Sequence, residues 1–275
     1  MSEKTVLITG CSSGIGRATA RSFMQSDWRV YTTARNPADI ETLGENGCEI
    51  ATLDVTDDGD VRRVVDRIVE ETGRIDCLVN NAGYAQFGPL EDVPVEQLHR
   101  QFDVNVYGPH RLIRAVLPHM REQDDGTIVN ASSVAGRIAT PGQGAYAGSK
   151  FALEGMSDAL RAEVDEYGVD VVLVEPGPVD TNFVERADDE LDDGLDRSGA
   201  YERLYRIYED QQVFGGAGAV AVHPEEVADV IVEAACSPNP GPRYPVGQFA
   251  KYSLLARFLP DRWRDAAVRA IRKVV

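Results

Sequence analysis

Tyr146 and Lys150 stand four residues apart in the run Tyr146-Ala147-Gly148-Ser149-Lys150. On a helix that spacing puts a phenol and an ammonium on one face. A free phenol titrates near pH ~10, too high for ready proton exchange at neutrality, and a neighbouring cation favours the phenolate. The pair therefore suits giving or taking a proton at an alcohol or carbonyl oxygen. Tyr-x-x-x-Lys recurs in many helices, so the pair alone carries little weight. Ser133 lies thirteen residues before Tyr146, at the end of a strand-like run, where a hydroxyl can hydrogen-bond a reacting oxygen. Ser132 competes for that role, since adjacent strand residues point opposite ways and only one of the two can face a site. Asn105 falls inside a predicted helix, in Phe102-Asp103-Val104-Asn105-Val106. Asparagine is a mediocre helix former, which points to a specific task there, in competition with a buried capping or packing role.

A second group of residues suits a dinucleotide. The first strand-like run leads into Thr9-Gly10-Cys11-Ser12-Ser13-Gly14-Ile15-Gly16, and a helix follows. Glycines at a strand-to-helix turn let the backbone approach a pyrophosphate, which the helix N-terminus attracts. The spacing is G-x-x-x-G-x-G rather than the commoner G-x-G-x-x-G. Nucleotide folds selective for NAD place an acid near the end of the second strand. Here Val30-Tyr31-Thr32-Thr33-Ala34-Arg35-Asn36 has none. The Arg35 guanidinium can instead pair with a 2′-phosphate through its two-pronged fork. NADP(H) is therefore the preferred cofactor, with NAD(H) the alternative. Asp54 and the run Asn80-Asn81-Ala82-Gly83 end the third and fourth predicted strands, at the same carboxyl edge.

The elements that would position these residues alternate. Strands are predicted at 5–9, 29–34, 49–55, 77–82, 127–132, 170–176 and 243–247, with helices near 15–26, 37–45, 57–72, 94–121, 145–167 and 224–235. Short Val/Ile/Leu-rich runs suit parallel strands buried on both faces. Strict β-α alternation predicts an α/β fold, a doubly wound parallel sheet with right-handed crossovers and helices on both faces. No Gly/Ser linker divides the chain, so 1–275 is predicted to form a single domain. Two segments break the rhythm. Residues about 181–222 form an insertion long enough for a lid or substrate-binding element. Residues 251–275 carry seven basic side chains and two acids. In that tail Asp261 is expected to cap a helix after Pro260, and Trp263, Ala267, Ala270, Ile271 and Val274 share a face among arginines. Packing on the acidic body or on a neighbouring subunit is favoured over an anionic membrane surface or a mobile lid edge.

Composition narrows the partners. The 275 residues carry a net charge of −17. That balance excludes nucleic acid, whose phosphates would be repelled. Only Lys4, Lys150, Lys251 and Lys273 are lysines; the other basic residues are arginines. An acid-dense, lysine-poor surface stays hydrated at high salt, and halophilic adaptation is expected. No apolar run is long enough to span a bilayer, and the first strand begins too early to leave room for a signal peptide. Cys11, Cys48, Cys77 and Cys236 have no metal or disulfide spacing, and the four histidines do not cluster. A reducing, cytoplasmic setting with no metal is expected.

Taken jointly, the chain resembles the classical short-chain dehydrogenases/reductases from residue 4 to about 247. The match runs through TGCSSGIG (9–16), LDV (53–55), NNAG (80–83), Asn105, the serine pair (132–133), YAGSK (146–150) and PGPVDT (176–181), in order and at family spacing. TTARNP (32–37) and SSVAGRIATPGQGAYAGSKFALEG (132–155) are most similar to the 17β-hydroxysteroid- and retinol-dehydrogenase-like branch. The resemblance implies a Rossmann-type sheet of strand order 3-2-1-4-5-6-7. It implies that Tyr146 is the acid/base, that Lys150 binds the nicotinamide ribose and depresses the phenol, and that Ser133, not Ser132, polarises the oxygen. Asn105 would hold a helix kink and a water leading from Lys150 to solvent. Gly10, Ser12, Ser13, Gly14, Ile15 and Gly16 would line the pyrophosphate, and Asp54 and Val55 would flank the adenine. Asn81, Ala82 and Gly83 would lie along the cofactor, while Pro176, Gly177, Val179 and Thr181 would cradle the carboxamide. Arg35 matches the NADP-preferring position, although Ser13 stands where some members carry a second basic residue. The expected activity is hydride transfer between NADP(H) and a bulky apolar ketone or secondary alcohol, by a homodimer or homotetramer. An extended-family epimerase or dehydratase and a dinucleotide-sensing binding protein without turnover are the rivals.

Overall fold

The structure is a computed structural model that describes residues 3–181, 195–209 and 220–274. It opens with β1 (Thr5–Ile8), α1 (Gly14–Met24) and β2 (Arg29–Ala34). Then come α2 (Glu41–Glu45), β3 (Glu49–Thr52), α3 (Asp58–Thr72), β4 (Cys77–Asn80), α4 (Val95–Phe102), α5 (Gly108–Gln123) and β5 (Gly126–Ala131). The second half holds α6 (Gly144–Val164), β6 (Val169–Pro176), α7 (Glu202–Glu209), α8 (Pro224–Cys236), β7 (Arg243–Val246), α9 (Gln248–Ser253) and α10 (Asp261–Val274). Seven strands form one sheet in the order β3-β2-β1-β4-β5-β6-β7, and every pairing is parallel. This is the doubly wound α/β arrangement that the alternation predicts.

Burial on both faces explains why the central strands read as unbroken apolar runs. Val6 and Ile8 point into one layer, with Phe23 of α1 and Val227 and Ile231 of α8. Leu7, between them, points into the other, with Val61, Val65 and Ile68 of α3 and Leu112 and Val116 of α5. The period-two alternation of a strand thus serves two helix layers. Both layers stack the strands' carboxyl ends along one edge, and at the β1/β4 boundary the strand order reverses. A crevice opens at such a point.

Several boundaries differ from the sequence expectation. Strand β3 stops at Thr52, so Asp54 sits in the following turn, where Oδ1 accepts from the backbone N–H and the hydroxyl of Thr56 at 2.9 and 2.7 Å. An acceptor that closes a turn on its own backbone favours leaving the strand. The long helix expected over 94–121 is two helices joined by a π-helical turn, Asp103–Tyr107. Residues 37–45 form a 3-10 turn, Pro37–Ile40, before the short α2.

The cap of the tail helix also differs. Pro260, not Asp261, occupies the helix cap, its carbonyl accepting from Trp263 and Arg264 N–H at 2.9 and 3.2 Å. Leu255, Phe258 and Trp263 are 60, 83 and 68% exposed, so these three side chains are not packed on the body. Ala267, Ala270, Ile271 and Val274, the rest of the expected apolar face, have side chains outside the described residues. So has most of the insertion expected over 181–222.

Candidate active site

At the first crevice wall, Gly10 and Gly14 adopt φ of +71° and +53°, the left-handed region where glycine carries no Cβ penalty. A Cβ on Gly10 would lie 2.8 Å from Ala82 Cα, and one on Gly14 would lie 3.0 Å from Thr181 Cγ2. Gly16 packs still closer: its Cβ would collide with the Gly10 carbonyl and stand 2.5 Å from Asn81 Nδ2. Ser13 caps α1 without a side-chain hydrogen bond, so its hydroxyl does not satisfy the helix's first N–H groups. Ile15 turns inward, partly buried against the core. The Ser12 carbonyl accepts from the guanidinium of Arg17.

Thr9, which sequence reasoning passed over, ties this turn to the next. Its Oγ1 accepts from the N–H groups of Asn81 and Ala82, both at 3.0 Å, while Asn81 Nδ2 donates to the carbonyls of Thr9 and Gly10 at 2.9 and 3.0 Å. The NNAG run is thus braced against the glycine turn. Gly83 beside it is exposed, and a Cβ there would lie 3.0 Å from Asn105 Oδ1. Arg35 is exposed at the end of β2 and makes no ion pair with the described residues. Val55 is buried against Gly108, so a base could reach only its backbone. Across the crevice, Pro176 ends β6, Gly177 N–H donates to the Val246 carbonyl at 3.2 Å, and Val179 bridges Val222. A backbone cradle without Cβ atoms, an uncapped helix N-terminus and an unpaired surface arginine fit a phosphorylated dinucleotide.

Tyr146 and Lys150 lie on the first turns of α6, both buried. The ammonium is 5.8 Å from the phenol ring centroid and donates to the Ala131 carbonyl at 2.7 Å. Ser133 and Tyr146 share a side-chain hydrogen bond. Ser132 Oγ is buried and has no partner among the described residues, so the Ser133 hydroxyl is the one brought to the tyrosine. Burial pushes the Tyr146 phenol up to about 12, against the lowering effect of the Ser133 bond. The depressed phenol expected from the Lys150 cation is therefore not what this geometry gives: desolvation of the phenolate dominates the shift. Burial likewise pushes Lys150 down to about 8, opposed by the carboxylate of Glu154.

Asn105 sits in the π-helical turn, where the widened backbone turns its amide toward the crevice. Its Oδ1 accepts from Tyr84 N–H at 3.1 Å, and Nδ2 donates to the Tyr84 carbonyl at 2.9 Å and the Ser149 hydroxyl at 3.2 Å. It thereby clamps the loop following NNAG to α6, one residue before Lys150.

An apolar wall closes the site. Phe87 meets the Tyr146 ring edge-on, centroids 6.4 Å apart, and Ala85, Ala135, Ala147 and Tyr205 complete the cluster, with Leu195, Tyr201 and Leu204 against it. Tyr205 Oη donates to the buried Asp92 at 2.8 Å, and Ser198 N–H donates to the same carboxylate at 3.3 Å. Burial raises the Asp92 pKa, but these hydrogen bonds outweigh it and hold the carboxyl below the usual carboxylate range. Sequence reasoning missed Asp92, Phe87 and Tyr205. The available signal was Tyr201 and Tyr205, four apart on one helical face.

Comparison with known proteins bears directly on this arrangement. The family model described as short chain dehydrogenase matches residues 4–192. An uncharacterised oxidoreductase of Escherichia coli is 37% identical over 268 residues, covering 96% of this chain and 93% of its own. The 3-ketodihydrosphingosine reductase of Bacteroides thetaiotaomicron is 35% identical over 98% of both chains. Human 17-beta-hydroxysteroid dehydrogenase type 1 is 37% identical over 89% of this chain and 77% of its own. Among solved structures, a short-chain dehydrogenase from Streptomyces avermitilis superposes with a TM-score of 0.82 at 33% identity, covering 100% of this chain and 97% of that one. A metagenomic short-chain oxidoreductase in complex with NADP superposes at 0.69 with 26% identity, covering 90% of this chain and 97% of that one.

Proposed function

Since the chain belongs to the short-chain dehydrogenase/reductase family, we propose that it is an NADP(H)-preferring oxidoreductase acting on a bulky apolar ketone or secondary alcohol. The observation that carries this reading is the pairing of Tyr146 with Ser133 at the foot of an apolar wall. A bound nicotinamide supplies or accepts the hydride. The chain's residues manage the oxygen. Ser133 donates a hydrogen bond to the carbonyl, polarising it. Tyr146, a protonated phenol at neutral pH, passes its proton to that oxygen as negative charge develops; in the reverse direction the phenolate takes it back. Lys150 holds the nicotinamide ribose hydroxyls and steadies the phenolate with its charge.

Gly10, Gly14 and Gly16 would admit the pyrophosphate, and Arg35 would take the 2′-phosphate, which favours NADP(H) over NAD(H). Phe87, Tyr205 and Leu195 favour a bulky apolar substrate. Relatives that carry steroid and ketodihydrosphingosine names support that class. The test is NADPH oxidation against a panel of ketones and aldehydes in molar KCl, with Tyr146→Phe beside the unmodified enzyme. Turnover should fall about 100-fold or more in the variant, the scale of a lost acid/base group, while NADPH binding persists. Retention of a tenth of the activity would remove Tyr146 from the reaction.

A further inference from the structure

Lys150 poses a physical problem that the mechanism does not solve. Lys150 is 7% exposed, and the protein hydrogen bond of its ammonium goes to a neutral carbonyl, that of Ala131. A buried cation with no counter-charge tends to shed its proton. The ribose-holding and phenolate-steadying roles both need it charged.

The neighbouring charges come from four elements. Glu154 lies one turn further along α6 and is 5% exposed. Its Oε2 is 2.9 Å from Arg243 Nε of β7 and 3.8 Å from a guanidinium nitrogen of Arg137, in the loop after β5. Glu175 of β6, also buried, pairs with the same two arginines at 2.8 and 3.4 Å. Asp158, one more turn along α6, is 2.6 Å from Arg243 and 2.8 Å from Arg161. Three carboxylates and three guanidiniums thus balance, and Lys150 faces the member of that cluster on its own helix face. Glycine at position 136 permits the approach: a Cβ there would lie 3.0 Å from Glu154 Cγ and 3.2 Å from the Lys150 carbonyl. Glu154 Oε1 has no partner among the described residues. One oxygen is spent on the arginines, and the other is left to act through space.

We propose that Glu154 is a positioning residue for the reaction: anchored by Arg243 and Arg137, its carboxylate keeps the buried Lys150 ammonium charged so that the lysine can serve the cofactor ribose and the Tyr146 phenolate. The inference rests on the oxidoreductase reading, which gives Lys150 those tasks. Burial lowers Lys150 and Glu154 raises it, in the direction the proposal needs. Removing the Glu154 charge leaves the cluster with one positive charge in excess and makes the site more hostile to a cation.

The small lysine count allows a direct test. In enzyme labelled with 13C,15N-lysine, four side chains give Nζ signals, and Lys150→Arg identifies the one of interest. Glu154→Gln should lower the Lys150 titration midpoint by about one pH unit or more, as expected of a unit charge several ångströms away in a partly buried site. Lys4, Lys251 and Lys273 should not move. Glu154→Asp should recover most of the shift. Arg243→Gln, which removes positive charge from the same cluster, should move the midpoint the other way. An unmoved Lys150 in folded Glu154→Gln overturns the proposal, and so does a downward move in Arg243→Gln. If Glu154→Gln does not fold, the sign of the Arg243→Gln shift decides. The two readings fail separately. A shifted midpoint in an enzyme that turns over no carbonyl sinks the oxidoreductase reading, and turnover with an unmoved midpoint sinks this one.

Discussion

The glycine turn after β1 and the wall formed by residues 195–209 face each other across one crevice, yet they are held by different means. The turn is fixed by backbone approach: Gly10, Gly14 and Gly16 sit where a Cβ would meet Ala82, Thr181 or Asn81. The wall is fixed by side chains reaching far along the chain, Tyr205 to Asp92 across 113 positions and Ser198 to Asp92 across 106. Backbone approach restricts the residue type to glycine and so fixes chemistry within a short window. Side-chain reach leaves many solutions open. A family can keep the first and vary the second, which is how one fold serves many substrates.

The contrast breaks most easily at Gly16. Gly16→Ala places a Cβ against the Gly10 carbonyl and within 2.5 Å of Asn81 Nδ2, with backbone on one side and a doubly hydrogen-bonded amide on the other. Overpacking of this kind costs about 3 kcal/mol. NADPH affinity, measured by fluorescence titration, should fall at least about 100-fold, with a lowered melting temperature. Near-normal binding would show that the turn has slack and that backbone approach is not what fixes it.

That difference also explains what was legible in the sequence. The strand positions, the glycine turn and the Tyr146/Lys150 pair could be read because each is a pattern within a few residues, whereas the strand order, which pairs distant segments, came from the family resemblance. Period-two burial marked the strands, and four-residue spacing marked the pair on α6. Asp54 was misplaced because an Asx turn ended β3 three residues early. The π-helical turn at Asp103–Tyr107 was invisible because its residues suit an ordinary helix; only Asn105 hinted at it. The phenol's direction of shift was misjudged because burial cannot be read from spacing. Asp92 was passed over because its partners lie more than a hundred residues away.

A smaller effect is expected at Arg35, on the turn's side of the crevice but dependent on a side chain. Its guanidinium is exposed and makes no ion pair with the described residues, so Arg35→Ala disturbs little else. Loss of charge-assisted bonds to a 2′-phosphate costs about 1.5–3 kcal/mol. NADPH should weaken roughly 10–100-fold while NADH changes by less than about threefold. Equal losses for both cofactors, or an NADH preference in the unmodified enzyme, would take Arg35 out of cofactor choice.

The smallest effect is expected on the opposite wall, at Tyr205→Phe. The ring stays, so the apolar packing against Phe87 and Tyr146 is kept, and only the hydroxyl's bond to Asp92 is lost. Ser198 N–H still donates to that carboxylate, which limits the damage to about 1.5 kcal/mol. The melting temperature should fall by a few degrees, and KM for a bulky apolar ketone should rise several-fold with kcat little changed, because the phenyl ring still lines the pocket but the segment carrying it is less firmly held. The pH dependence has a definite sign. Hydrogen bonds hold the Asp92 carboxyl below its ordinary value, so its contribution is fully present above the usual carboxylate range and is lost as pH falls through the lowered one. The unmodified enzyme should therefore keep its low KM from neutral pH down to mild acid, and the difference between it and Tyr205→Phe should shrink only at strongly acid pH. A large drop in kcat in this variant would mean that the far wall takes part in the chemistry, and the division between a fixed cofactor side and a variable substrate side would fail.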